Sequence, residues 1–114
     1  MKPRFNLWIE SGGDVVLSAW RVRLLQSIEA TGSISAAAAA MQVPYRRAWE
    51  KLQEMEAGLG QKLVNTAVGG AGGGGAQLTS AGHKAVAQFL AFADGLDALI
   101  DQRYADAFGT RRDQ

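Results

Sequence analysis

The chain has 114 residues, with twelve basic and eleven acidic side chains and a formal net charge of +1. At 47% hydrophobic and 20% charged, it has the composition of one small globular domain rather than a disordered segment. No apolar run reaches the roughly 20 residues of a membrane span, the start from Met1 to Trp8 lacks the apolar core of a signal peptide, and the lack of cysteine excludes disulfides and thiolate metal sites. A cytoplasmic protein without membrane contact is expected.

The near-neutral sum conceals a split. Residues 1–66 hold eight basic groups against six acids, whereas residues 67–114 hold four against five, including Asp94, Asp97, Asp101 and Asp106. Six of the fourteen glycines lie between Gly69 and Gly75. The order is a mildly basic body, a glycine-rich loop and an acidic helical tail. A basic excess is the usual footprint of a nucleic-acid binder, and here the tail masks it.

Phe5, Leu7 and Ile9 alternate with Asn6, Trp8 and Glu10, which predicts a half-buried strand from Phe5 to Glu10. Ser11-Gly12-Gly13-Asp14 reads as a turn and Val15 to Leu17 as a second strand, forming a hairpin. Ser18 then caps a helix to about Ala30, with Trp20, Leu24, Leu25 and Ile28 inward and Arg21, Gln26 and Glu29 outward. Gly32 ends it. Ser33 caps a short helix from Ile34 to about Met41 that includes five consecutive alanines, small enough for a close neighbour. Gln42-Val43 leaves room only for a tight turn, and Pro44 opens a third helix to about Ala57, closed by Gly58 and Gly60. Helix, tight turn, helix is the outline of a helix-turn-helix, and equally of an αα-hairpin in a bundle.

The third helix separates these readings. At about 100° per residue, Ala48, Leu52, Met55 and Leu59 form one apolar face, and Arg46, Arg47 and Glu50 point roughly away from it. Tyr45 and Trp49 occupy one flank and Lys51 the other. Two arginines on the first exposed turn suit guanine edges and phosphates, and Tyr45 suits a phosphate or a thymine methyl.

Lys62 to Thr66 and Gln77-Leu78 read as strands around the glycine run, the wing of a winged helix-turn-helix. A glycine tip can approach phosphates or enter a minor groove. Gly70 to Gly75 also matches G-x-G-x-x-G, but a returning strand follows where a dinucleotide site needs a helix, and no G-K-[ST] is present.

Thr79 caps a last helix expected from about Ser80 to Phe108. Its Phe89, Phe92, Leu96 and Leu99 step by three, four and three, a coiled-coil-like seam widened by Val86, Leu90, Ala93 and Ile100. In a domain this small its distal turns outrun the core, so pairing with a second copy is expected. The chain divides into residues 1–79, a mainly α winged helix-turn-helix with small β-hairpins, and residues 80–114, a dimerisation helix with its tail.

Arg4-Phe5-Asn6-Leu7-Trp8, Thr31-Gly32-Ser33-Ile34-Ser35-Ala36-Ala37, Tyr45-Arg46-Arg47-Ala48-Trp49 and the stretch from Gly69 to Thr79 resemble the N-terminal domain of the bacterial molybdate-responsive transcription regulators. That domain is a winged helix-turn-helix similar to the LysR-type one, and the resemblance covers about residues 4–105. It implies a homodimer bound to double-stranded DNA at an inverted repeat. By position, the recognition-helix contacts fall on Tyr45, Arg46 and Arg47 and the wing on the 69–75 loop; the full set of expected DNA contacts is Ser33, Ser35, Tyr45, Arg46, Arg47, Trp49, Lys51, Gly70, Gly72, Gly73 and Gly74. The expected dimer seam is Phe89, Phe92, Leu96, Leu99 and Ile100. Full-length family members add molybdate-binding domains that this chain does not include, which leaves open a separate effector-binding partner, another signal, or a fragment.

His83 is the single histidine, too little for a transition-metal cage or a Ser/His/acid constellation. Neither enzymatic activity nor a metal or other cofactor is expected. The rival to DNA reading is a winged helix used only for protein–protein contact. Arg46, Arg47 and the glycine tip favour DNA.

Overall fold

Ser18, Ser33 and Thr79 stand in extended backbone and accept hydrogen bonds from the N–H groups of Arg21, Ala36 and Gly82 at 3.1, 2.9 and 3.0 Å. Each bond satisfies a donor that a helix start otherwise leaves unpaired, so these side chains mark where the chain becomes helical. The computed structural model describes residues 1–67 and 75–109. Its elements are β1 (Trp8–Ser11), β2 (Asp14–Ser18), α1 (Ala19–Thr31), α2 (Ile34–Ala40), α3 (Tyr45–Leu59), β3 (Val64–Ala67), β4 (Gly75–Leu78), α4 (Ser80–Ala93) and α5 (Leu96–Phe108). β1 and β2 form one antiparallel hairpin, β3 and β4 another. The architecture is the winged helix-turn-helix that the sequence predicts.

The first strand is shorter than its alternating pattern. Trp8 pairs with Ser18, after which the partner strand turns into α1, so Phe5 to Leu7 find no ladder. Pro44 stands just before α3 as its cap residue, and Gly75 belongs to β4 rather than to the loop.

Leu24, Leu25 and Ile28 of α1, Ala37 and Ala38 of α2, and Ala48, Leu52 and Met55 of α3 meet in one core with Leu63, Val64, Leu78, Ala85 and Phe89. The inward face of α2 is only Ile34, Ala37 and Ala38, and these small side chains let it pack closely on both α1 and α3.

Three inward and outward assignments differ from expectation. Arg21 is buried rather than solvated, because its Nη2 donates to Glu54 Oε1 of α3 at 2.8 Å. Leu59 is 37% exposed, having passed the end of the core. Phe89 is only 3% exposed and packs inside the domain, so it is not available to a dimer seam.

The C-terminal helical segment reaches Phe108 but is not one helix. Asp94 is extended (ψ 128°) and Gly95 left-handed (φ 78°), which separates α4 from α5. Aspartate and glycine are both weak helix formers, and beyond Phe89 little packing offsets that weakness, since α5 buries no residue. The molecule is correspondingly long, 62 × 29 × 22 Å.

The Arg21–Glu54 pair ties α1 to α3. Lys51 Nζ approaches the same carboxylate oxygen at 3.5 Å, while Arg21 Nη1 is enclosed without an acceptor among the described residues. The hydrogen bond from Arg21 holds the Glu54 carboxyl below its ordinary 4.5, with burial opposing and the charge of Lys51 assisting. A carboxyl lowered in the folded state contributes stability above its unfolded value, and that contribution is lost as pH falls through the folded one. Glu54→Gln is therefore expected to lower unfolding free energy at pH 7 by about 1 kcal/mol, since it leaves a buried guanidinium less well paired. Urea titrations should show this difference shrinking toward pH 3. A gap that stays constant with pH would disprove the ionic role.

Candidate nucleic-acid interface

The first turn of α3 is its most exposed. Ala48, Leu52 and Met55 take the buried face, and Arg46 and Arg47 are exposed on the same turn as Tyr45. No described side chain forms a salt bridge with either arginine. Tyr45 is 54% and Trp49 45% exposed, and both line an open cleft of about 380 Å³ with Ser33, Ile34 and Ser35 of the α2 start. Thr66, Ala67, Gly75 and Ala76 form its other wall, from the base of the β3–β4 hairpin.

The expected residues thus fall into three groups. Ser33, Ser35, Tyr45 and Trp49 come together in the cleft, with Arg46 and Arg47 beside them on the α3 start. The Ser33 hydroxyl already accepts the Ala36 N–H, which leaves its own O–H to donate. Lys51 is not brought to the cleft, because it lies on the opposite flank against Glu54. Gly70, Gly72, Gly73 and Gly74 lie outside the described residues. Of the expected dimer seam, Phe92 and Leu99 are exposed at 57% and 44%, and Leu96 and Ile100 are half-buried. Ile100 shares a shallow depression with Pro3, Arg4 and Phe5, so the N-terminal segment lies beside one flank of α5.

Two carboxylates place the hairpin against α1 and α3. Val64 and Leu78 are cross-strand partners, and their N–H groups point outward, away from the ladder. Glu56 of α3 accepts from Leu63 N–H at 2.7 Å and Val64 N–H at 3.2 Å, and Glu29 of α1 accepts from Leu78 N–H at 2.8 Å. One rung is thereby gripped from both sides by charge-assisted bonds. Thr79 N–H donates to Leu63 O at 2.9 Å, and Ala76 N–H donates to Gly32 O at 2.7 Å. A Cβ at Gly82 would collide with the Leu63 carbonyl oxygen, so glycine lets α4 begin directly on the hairpin base. His83, half-exposed, sits 3.7 Å from the second oxygen of Glu29.

Sequence reasoning overlooked both clamps. For Glu56 a signal existed: eleven residues after Tyr45, at about 100° each, puts it within about 20° of the aromatic flank. For Glu29 there was none, since its partner lies 49 residues away.

The profile of bacterial regulatory helix-turn-helix proteins of the lysR family matches residues 20–83. The chain is 44% identical over 84 residues to the molybdenum-pterin-binding protein MopB of Rhodobacter capsulatus, covering 74% of this chain and 31% of that protein. It is 37% identical over 94 residues to the molybdenum transport protein ModE of Azotobacter vinelandii, covering 82% and 35%. With the DNA-binding transcriptional dual regulator ModE of Escherichia coli, identity is 41% over 66 residues, covering 58% and 25%. The chain therefore spans about a third or less of the length of these relatives. Among solved structures, the DNA-binding domain of CbnR in complex with DNA superposes with a TM-score of 0.61 at 23% identity, covering 77% of this chain and 95% of that one. No described helix is long and apolar enough to cross a membrane.

If the clamps orient the hairpin, Glu56→Ala leaves two N–H groups without acceptors and is expected to cost about 1–3 kcal/mol. Amide exchange at Leu63 and Val64 should accelerate well beyond that at Leu24 and Leu25. Equal protection in variant and wild type would show that the clamp does not hold the hairpin.

Proposed function

Because the chain belongs to the lysR family of bacterial regulatory helix-turn-helix proteins, we propose that it is a transcription regulator that reads double-stranded DNA as a homodimer on an inverted repeat. The observation that carries this reading is the exposed, unbridged pair Arg46 and Arg47 on the first turn of α3, beside a cleft floored by the α2 start and walled by the hairpin. In this pose α3 enters the major groove with the arginines on base edges or phosphates. Tyr45 and Trp49 meet sugar or a thymine methyl, and Ser33 and Ser35 donate to a phosphate. Gly70, Gly72, Gly73 and Gly74 remain the proposed wing contacts to the adjoining backbone. Lys51, held by Glu54, acts as a peripheral charge.

The dimer seam is revised to Phe92, Leu96, Leu99 and Ile100. Exposed apolar side chains along the distal helices support it, and Phe89 drops out. Residues 1–79 then read DNA while residues 80–114 pair the two copies. Its relatives include a molybdenum-pterin-binding protein and a molybdenum transport protein, which supports a molybdenum-linked role. Effector sensing would fall to a region or partner outside this chain.

Selection of bound duplexes from a random pool, with and without molybdate, tests the reading. An enriched inverted repeat is expected, and Arg46→Ala/Arg47→Ala should reduce affinity for it by at least about tenfold, since each good bidentate contact is worth about 1–3 kcal/mol. The logarithm of affinity should fall with the logarithm of salt by about 0.9 per phosphate neutralised. No enrichment and a flat salt response would instead indicate a protein-interaction module.

A further inference from the structure

The interruption between α4 and α5 does no work inside the domain. Asp94 and Gly95 are both exposed, the Asp94 carboxylate makes no hydrogen bond or salt bridge among the described residues, and a Cβ built at Gly95 meets nothing within 4 Å. Yet the backbone there is sharply defined. Asp94 N–H turns back on Ala91 O at 3.4 Å, Gly95 is left-handed at φ 78°, and its carbonyl accepts from Leu99 N–H at 3.0 Å to restart the helix. Left-handed backbone is strained for any residue with a Cβ and least so for asparagine or aspartate. Upstream, α4 is fastened to the DNA-reading body by Gly82, Ala85 and Phe89; downstream, α5 buries nothing and carries exposed Leu99. The break thus falls within the proposed pairing face, between exposed Phe92 of α4 and exposed Leu99 of α5.

We propose that the Asp94-Gly95 break sets the separation and relative angle of the two recognition helices in the dimer, and so selects the half-site spacing of the DNA it accepts. This rests on the reading of the chain as a DNA-binding dimer. A two-fold dimer engages both half-sites only when its recognition helices match the helical repeat of the duplex, and avidity disappears when geometry forbids simultaneous contact. An unbroken helix from Ser80 to Phe108 would carry the pairing face along the α4 axis, whereas the left-handed Gly95 gives α5 a start of its own. Pro3, Arg4 and Phe5 line a shallow depression with Asp97, Ile100 and Asp101 of α5.

Asp94→Ala/Gly95→Ala introduces two strong helix formers and favours a continuous helix. Gly95→Ala alone strains the same bend without replacing Asp94, and Gly95→Asn retains access to the left-handed region. The chain has no cysteine, so Gln26→Cys, on the exposed face of α1, provides one spin label per copy. Pulsed dipolar spectroscopy then reports the distance between the two bodies, and a pool of inverted repeats with varied spacers reports the preferred spacing. The double variant is expected to shift the distance distribution and the preferred spacer. Its affinity for the wild-type repeat should fall at least about tenfold, with isolated half-site affinity kept within about twofold. Gly95→Ala should move both readouts in part, and Gly95→Asn should keep both. If wild type binds DNA while the double variant retains the distance and the spacer, the inference is overturned alone. A wild type that retains no duplex, or shows no dipolar coupling, overturns the proposed function and this inference with it.

Discussion

The hairpin is held on α1 and α3 chiefly at one rung. Val64 and Leu78 face each other across β3 and β4, and their outward N–H groups are taken by Glu56 of α3 and Glu29 of α1. A two-stranded hairpin has two open edges and is marginal by itself. Here each edge is closed at the base by a carboxylate from a different helix. The hairpin is thus docked on the same helices that form the core, and the cleft between Trp49 and Ala76 acquires a fixed shape. The Thr79 N–H bond to Leu63 O and the absence of a side chain at Gly82 extend the docking into α4.

From that constraint the molecule divides by what each part can bury. α1, α2 and α3 close around leucine, alanine and methionine side chains, with Arg21–Glu54 as the one ionic tie across them. Such a tie contributes less through its net attraction than through the cost of leaving Arg21 unpaired in the interior. The exposed first turn of α3 is free of these obligations, so Arg46 and Arg47 can be spent on a partner. Past Ala93 the core is exhausted, and Leu99 and Phe108 remain on the surface of a helix with no buried residue. Apolar exposure of that kind on an elongated arm suits a second copy.

Much of the site was legible in the chain because it rests on local rules. Helix starts follow from side-chain caps within three residues, and Ser18, Ser33 and Thr79 stand where they were expected. The exposed face of α3 follows from a 3.6-residue period, so Arg46, Arg47, Tyr45 and Trp49 could be placed outward without coordinates. Lys51 is another outward charge, and its tie to Glu54, three residues on along the same helix, follows from the same period. Phe89 fitted an external seam by spacing and belongs to the core by packing. Spacing along one helix reports which residues share a face, not how far the neighbouring domain extends along it.

The amino-acid order by itself determined the elements, the helix-turn-helix, the two hairpins and the family likeness, since each of these arises from periodicity, caps and motifs within a few residues. Tertiary structure alone decided the burial of Arg21, the grip of Glu29 on the Leu78 N–H, and the break of the helix at Asp94-Gly95. The reason is physical. Those features depend on partners 33 or 49 residues away, or on the point where helix propensity ceases to be outweighed by packing. Neither distance nor packing is written in local sequence.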